Sequence, residues 1–251
     1  MRLVLINIAV FLLLKLIWLI SPSAITVEEI IGALALPASF GEAVKAPWSI
    51  VTYMFIHVDF WHLLVNCLWL AWFGALLKEI AGRRILALNF IAGGIAGGLC
   101  YLSLSAIAGG ESGAYLLGAS AAVFAVITAT LISAPRKRVT LAFIGSFSLR
   151  SIAAVGMVLF FLASIEMDPS QTAAHLGGII VGTASSMAWR TKSRRRMEAM
   201  KSRARNRLEH LSLIEKVNRN GYSSLSRKEQ LRLFNLSASE HSATRNPRLK
   251  P

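Results

Sequence analysis

The sequence predicts an all-α integral membrane protein: a bundle of six membrane-crossing helices followed by a small helical tail. Three observations carry this expectation. The chain is 55% hydrophobic and only 16% charged, where a soluble domain carries about a quarter charged residues. Apolar runs of the roughly 20 residues that cross a bilayer recur as far as Trp189. The Lys and Arg excess behind the formal net charge of +14 lies mostly after that tryptophan, so a membrane body (residues 1–190) and a basic tail (191–251) are read as separate parts.

The candidate spans are about 3–20, 60–80, 85–106, 116–134, 149–165 and 171–189, each measured against the bilayer's hydrocarbon thickness. Arg2 precedes the first in the manner of a signal peptide. Lys15 interrupts the apolar run, however, and no small-x-small cleavage site follows closely, so this segment reads as a retained span. The connection from Ser21 to Phe60 is long and weakly polar, with helical periodicity from Val27 to Leu36 ending at Pro37. Irregular backbone cannot face lipid at depth. The connection is therefore expected in the outer interface, with Trp48, Tyr53 and Trp61 at headgroup level.

The short loops orient the bundle. Arg83 and Arg84 lie between spans two and three, Arg136, Lys137 and Arg138 between four and five, and Arg190 begins a densely basic stretch. The loops around Gly109–Ser112 and Glu166–Pro169 carry no Lys or Arg. Basic loops stay cytoplasmic, which places both termini inside. Ahead of the fifth and shortest span, Val139 to Phe147 reads as an interfacial approach.

In the tail, Arg194, Arg195 and Arg196 are expected near the anionic inner leaflet, and the charge implies no nucleic-acid partner. Leu208, Leu211, Ile214 and Val217 recur at helical spacing. Asn220-Gly221 ends that helix, and Ser226 with Glu229 forms a capping-box pattern opening another through Leu231 and Phe234. The result is a helical hairpin at about 206–237, too small for a core of its own, with disorder expected from Ser237 onward. Cys67 and Cys100 lie inside apolar runs and read as small hydrophobes.

Polar groups inside spans are costly and mark function by default. With span four starting near Leu116, Ser120 lies about 6 Å from its outer end, and His175 lies about 7 Å into span six from the same side. His175, Gly178 and Gly182 share one helix face, which lacks bulk below the histidine and admits a neighbouring helix closely. A serine and an imidazole at matched depth form a nucleophile and its general base. At the outer end of span two stand His57, His62 and Asn66, the last two one turn apart. An Asn amide or a His N–H suits a developing oxyanion. No carboxylate shares this layer, so a dyad is expected. Taken singly, Ser120 reads as a back-bonded packing residue, His175 as a structural group or proton relay, and the glycines as helix packing; agreement in depth and side joins them.

These residues resemble the rhomboid intramembrane serine proteases over about residues 48–189. Pro47-Trp48 through Thr52, Phe55 and His57 is similar to that family's approach to its second span, and His62-Leu63-Leu64-Val65-Asn66 to its HxxxN element. Gly118-Ala119-Ser120 is similar to its GxS motif, and Ala174-His175 with Gly178 and Gly182 to its AHxxGxxxG helix. The resemblance implies a six-span rhomboid-like bundle with Ser120 as nucleophile, His175 as general base, and Asn66, His62 and the Ser120 backbone N–H around the oxyanion. It implies transmembrane protein substrates entering laterally from the lipid bilayer, cleavage near the outer membrane boundary, and neither metal nor organic cofactor. Phe124 stands where the family often has a tyrosine stacked on the imidazole, and Ala121 where a glycine commonly follows the serine. Lys78-Glu79 does not cleanly reproduce an acidic position near the end of span two.

The rival class is a catalytically inactive rhomboid-like protein that binds or escorts membrane clients; such proteins typically lack the serine or histidine. A transporter would need charged groups near the midplane or broken helices in paired halves, and the sequence offers neither. A compact body without an extra span or organelle presequence favours a bacterial plasma membrane.

Overall fold

Apolar, proline-poor runs become helices because lipid offers no partner to an unpaired backbone group, and 84% of the described residues are helical. A computed structural model describes residues 2–20, 24–109, 114–141, 145–163 and 169–245. In chain order the elements are α1 (Arg2–Ile20), α2 (Ala24–Leu34), β1 (Leu36–Pro37), α3 (Phe40–Lys45), α4 (Ser49–Thr52), α5 (Phe60–Ala81) and α6 (Arg83–Ala108). They continue with β2 (Tyr115–Leu116), α7 (Ser120–Ser133), β3 (Arg138–Leu141), β4 (Gly145–Ser148), α8 (Leu149–Ala163), α9 (Pro169–Asn220) and α10 (Arg227–Arg245). The chain divides into two compact units, Met1–Arg190 and Thr191–Pro251.

Among the described residues three helices, α1, α5 and α6, are long and apolar enough to cross a membrane. The run at 116–134 is shorter as a helix than its hydropathy suggests. Tyr115 and Leu116 are extended and pair antiparallel with Pro37 and Leu36, and the helix starts only at Ser120. Its 14 residues rise only about 21 Å. Such a helix suits an interior position, and ten of its residues are buried. The expected loops at 109–112 and 166–169, and the end of the fifth span, fall partly on 110–113 and 164–168, outside the described residues.

The core of the first unit is built on close approach. Four glycines of α6 form a ridge of two faces. A Cβ at Gly93 or Gly97 would meet the Ala125 or Ala121 methyl of α7, and one at Gly94 or Gly98 would meet Met54 or Ile50. The first half of α9 fits against both helices: a Cβ at Gly177 would lie 2.6 Å from the Ala96 carbonyl oxygen, and one at Gly178 or Gly182 would overlap the carbonyl of Ala121 or Ala125. Small residues that let backbones touch replace the hydrophobic drive that lipid removes. Buried hydroxyls add ties between helices: Thr130 donates to the Phe73 carbonyl (3.2 Å), Ser186 to that of Ala129 (3.1 Å) and Ser185 to the Asn89 side chain (2.6 Å).

One expectation is corrected here. Tyr53 does not face headgroups as an exposed ring would: it is buried, and its hydroxyl donates to the Gly94 carbonyl at 2.7 Å, because the glycine ridge leaves room for a ring. Trp48 and Trp61 are exposed. The stretch read as an interfacial approach contains two paired strands, Arg138 opposite Ser148 through Leu141 opposite Gly145. Gly145 stands at φ +113°, a conformation that glycine adopts without strain.

In the second unit α9 ends at Asn220 and Gly221 takes φ +76°. The Ser226 Oγ accepts from the Glu229 N–H (3.3 Å) while the Glu229 carboxylate accepts from the Ser226 N–H (2.8 Å), the reciprocal pattern that opens α10. Leu213, Leu225 and Leu236 are buried, and His210 Nε2 lies 3.0 Å from Ser237 Oγ. The disorder expected from Ser237 is corrected as far as Arg245, where α10 ends; that hydrogen bond and the seating of Leu236 carry the helix past its polar composition.

Candidate active site

The site is assembled from four pieces of chain. Asp59 caps α5: with φ −98° and ψ 138° it leaves the helix, and its carboxylate accepts from the His62 N–H at 2.7 Å. Starting α5 there puts His62 in its first turn and Asn66 in its second. The Asn66 side chain is buried and donates from Nδ2 to the His62 carbonyl oxygen at 3.0 Å. The same nitrogen lies 3.4 Å from His57 Nε2. The His57 and His62 rings meet edge-on, with centroids 5.1 Å apart.

The second piece is the turn into α7. The Gly118 N–H donates to the Tyr53 carbonyl (3.0 Å) and the Ala119 N–H to His57 Nε2 (3.3 Å). Gly118 sits at φ +104°, and a Cβ there would lie 2.9 Å from His62 Nε2. Two constraints, a left-handed backbone and an imidazole at its surface, both require glycine. Its role is thus a turn beside a ring, not the interior helix packing that its neighbours suggest.

Ser120 opens α7 instead of lying a turn and more within it, a correction to its expected place in the span. A helix leaves its first N–H groups without intrahelical partners, and its N-terminus carries partial positive charge. The Ser120 amide is thereby free of the helix ladder.

Helix α9 supplies the third piece. His175 and Ser120 are both buried (3% and 8% exposed), and Nε2 of the imidazole lies 2.9 Å from the serine Oγ. Gly178 and Gly182, at one and two turns from His175, seat on the carbonyls of Ala121 and Ala125; this contact sets the distance between α9 and α7. Phe124, one turn past Ser120, tilts against the imidazole with centroids 5.0 Å apart and planes at 38°. The Ala121 methyl is housed by Gly97 of α6, so the residue after the serine needs no glycine here.

The fourth piece is α8. Gly156 receives the Trp69 indole of α5, which a Cβ would overlap. Asn66, Trp69, Phe124, Gly156 and Met157 line a narrow cavity of about 20 Å³ between α5, α7 and α8.

The structure thus brings Ser120, His175, Phe124, Gly118, His62 and Asn66 together, with Gly178 and Gly182 behind them. Sequence reasoning noted His57 but gave it no task, misplaced Tyr53 and missed the glycine ridge of α6 altogether. The ridge had a readable signal, Gly93-Gly94 and Gly97-Gly98 one turn apart. The hydrogen bonds of His57 had none, since Ala119 is 62 residues away.

The Rhomboid domain family matches residues 45–192. No curated protein matches the chain.

Proposed function

Since the chain belongs to the rhomboid family, multi-span helical membrane proteins of the intramembrane-protease type, we propose that it is a serine endopeptidase that uses a Ser120–His175 dyad to cut transmembrane proteins. The observation that carries this reading is the 2.9 Å contact between Ser120 Oγ and His175 Nε2, buried side chains from helices that share no local sequence.

The chemistry follows from the geometry. With the imidazole proton on Nδ1, the serine hydroxyl donates to Nε2. As Oγ attacks a peptide carbonyl, Nε2 takes the proton and the carbonyl oxygen becomes an oxyanion. The Ser120 N–H and the Asn66 amide would stabilise it, each such donor being worth about 3–4 kcal/mol; His62 stands beside them as a further donor. The imidazolium returns its proton to the leaving amine. Water, deprotonated by the same Nε2, then releases the acyl-enzyme and restores the serine hydroxyl. Phe124 limits the imidazole's rotation by its face and offers it no hydroxyl.

The six-span topology with cytoplasmic termini belongs to the same proposal, as do cleavage near the outer boundary of the cell membrane, substrate entry from the bilayer and a basic tail near the inner leaflet. Three helices of spanning length and the positive-inside distribution support it. Cysteines introduced at Ser112 and Ser193 should be modified from opposite faces; modification from one face overturns the orientation.

The decisive assay is cleavage of a reporter transmembrane substrate in proteoliposomes. Wild type should cut. Ser120→Ala and His175→Ala should each lose about 10³-fold or more, the scale on which a nucleophile or its base is lost. Variants that cut like wild type would sink the mechanism. Binding of the reporter without cleavage by wild type would favour a client-binding protein.

A further inference from the structure

His57 has no part in the dyad, yet it is 1% exposed and its Nε2 faces two groups that can only donate. One is the Asn66 amide nitrogen at 3.4 Å, the other the Ala119 backbone N–H at 3.3 Å. Which Asn66 atom is the nitrogen follows from its other contact, 3.0 Å from the His62 carbonyl oxygen. A ring nitrogen approached by two donors must hold its lone pair. His57 is therefore a neutral imidazole with its proton on Nδ1, and Nε2 is an acceptor.

We infer that His57 is a positioning residue for the oxyanion side of the site: its Nε2 holds the Asn66 amide nitrogen toward the substrate and ties it to the turn that carries Ser120. The inference rests on the protease reading given above. Asn66 has two amide hydrogens, one directed at the His62 carbonyl and one at His57. An arriving oxyanion shares the longer of the two bonds as a three-centre contact, so Nε2 still holds the amide as charge develops, and Ala119 stays on Nε2. With no acceptor at 57, only the His62 carbonyl keeps Nδ2 in place. A flipped amide then presents Oδ1, which repels the oxyanion. The turn loses one of its two anchors as well, leaving the Gly118 bond to Tyr53.

The test uses full-length protein in the proteoliposome assay, with Ser120→Ala as the blank. His57→Leu, which removes the acceptor, is expected to lower kcat about 10- to 30-fold, the worth of one hydrogen bond to a developing charge, with KM within about twofold. His57→Gln keeps an acceptor oxygen near the place of Nε2 and should stay within about threefold of wild type. In an Asn66→Ala background most of the effect of His57→Leu should vanish, because the two act through one bond. Tryptophan-fluorescence melting in detergent establishes that each variant is folded; should His57→Leu not fold, His57→Gln and the kcat–KM split decide alone.

A wild type no better than Ser120→Ala defeats the protease reading and this inference with it. An active wild type overturns the inference alone if His57→Leu cuts equally well. The same holds if His57→Gln is as impaired as the Leu variant, or if the loss persists undiminished without Asn66.

Discussion

The contact of α9 with α7 and the pairing of α9 with α10 join helices by opposite means. In the membrane unit, Gly178 and Gly182 put backbone against backbone, with a glycine hydrogen where any Cβ would overlap a carbonyl. In the tail unit the helices meet through leucines and the ends of long side chains. Lys216 reaches Glu229 at 2.8 Å and Arg232 reaches Glu209 at 2.9 Å, all four partly exposed. The solvent explains the difference. Lipid supplies no hydrophobic drive between helices, so fit and buried hydrogen bonds must hold them together. Water supplies that drive to Leu213, Leu225 and Leu236, and it screens ion pairs until they contribute little. A Ser120–His175 contact of 2.9 Å belongs with the first kind of contact.

The contrast can be broken most severely at Gly178. Gly178→Val places a branched side chain on the Ala121 carbonyl, and backbone cannot step aside as a side chain can. The expected result is loss of cleavage together with a melting transition lowered or absent, a cost above the roughly 1–3 kcal/mol of ordinary overpacking. Normal melting and activity would show that α9 is positioned by other contacts.

Gly93 makes a milder test of the same rule. A Cβ there overlaps one methyl, that of Ala125, with its other neighbours at ordinary contact distance. Gly93→Ala should destabilise by about 1–3 kcal/mol. Adding Ala125→Gly removes the overlap and should recover most of that in a double-mutant cycle. Thermal melting of the four proteins measures it; simple additivity would disprove the direct contact.

The tail is expected to respond least, and to pH instead of volume. The Lys216 ammonium, then the Ser226 N–H and hydroxyl, hold the Glu229 carboxyl down at about 2, against an ordinary 4.5. A carboxyl depressed in the folded state stabilises it fully above the ordinary value, and the contribution is lost as pH falls from about 4.5 toward 2. Amide exchange in α10, corrected for its intrinsic pH dependence, should therefore show protection constant from pH 7 to about 5 and falling below. Lys216→Ala should flatten that fall, with no change in cleavage at neutral pH. An unchanged slope in the variant would assign the effect to the cap alone.

Several of these features were legible from residues alone. Ser120 and His175 stood out because polar groups are rare in apolar runs, and the face shared by His175, Gly178 and Gly182 follows from helical spacing. The hairpin turn at Gly221 and the Ser226–Glu229 box were readable because caps are local. Where Ser120 sits in its helix was not. Hydropathy counts apolar residues and does not distinguish extended backbone from helical, so Leu116 to Ala119 looked like the first turn of a span. Its actual shape depends on Leu36 and Pro37, paired with it across about 80 residues of chain. Tyr53 was misread for the same reason: an aromatic near a span end suits the headgroups unless a distant glycine ridge makes room for it.

The sequence by itself determined which groups are available and on which helix faces they lie, since those depend on residue type and a fixed period. The tertiary structure decided the 2.9 Å contact of serine with imidazole, the start of α7 at Ser120, and the hold of His57 on both Asn66 and Ala119. Each of these is a meeting of segments remote in the chain, and such meetings are set by the fit of packed backbones.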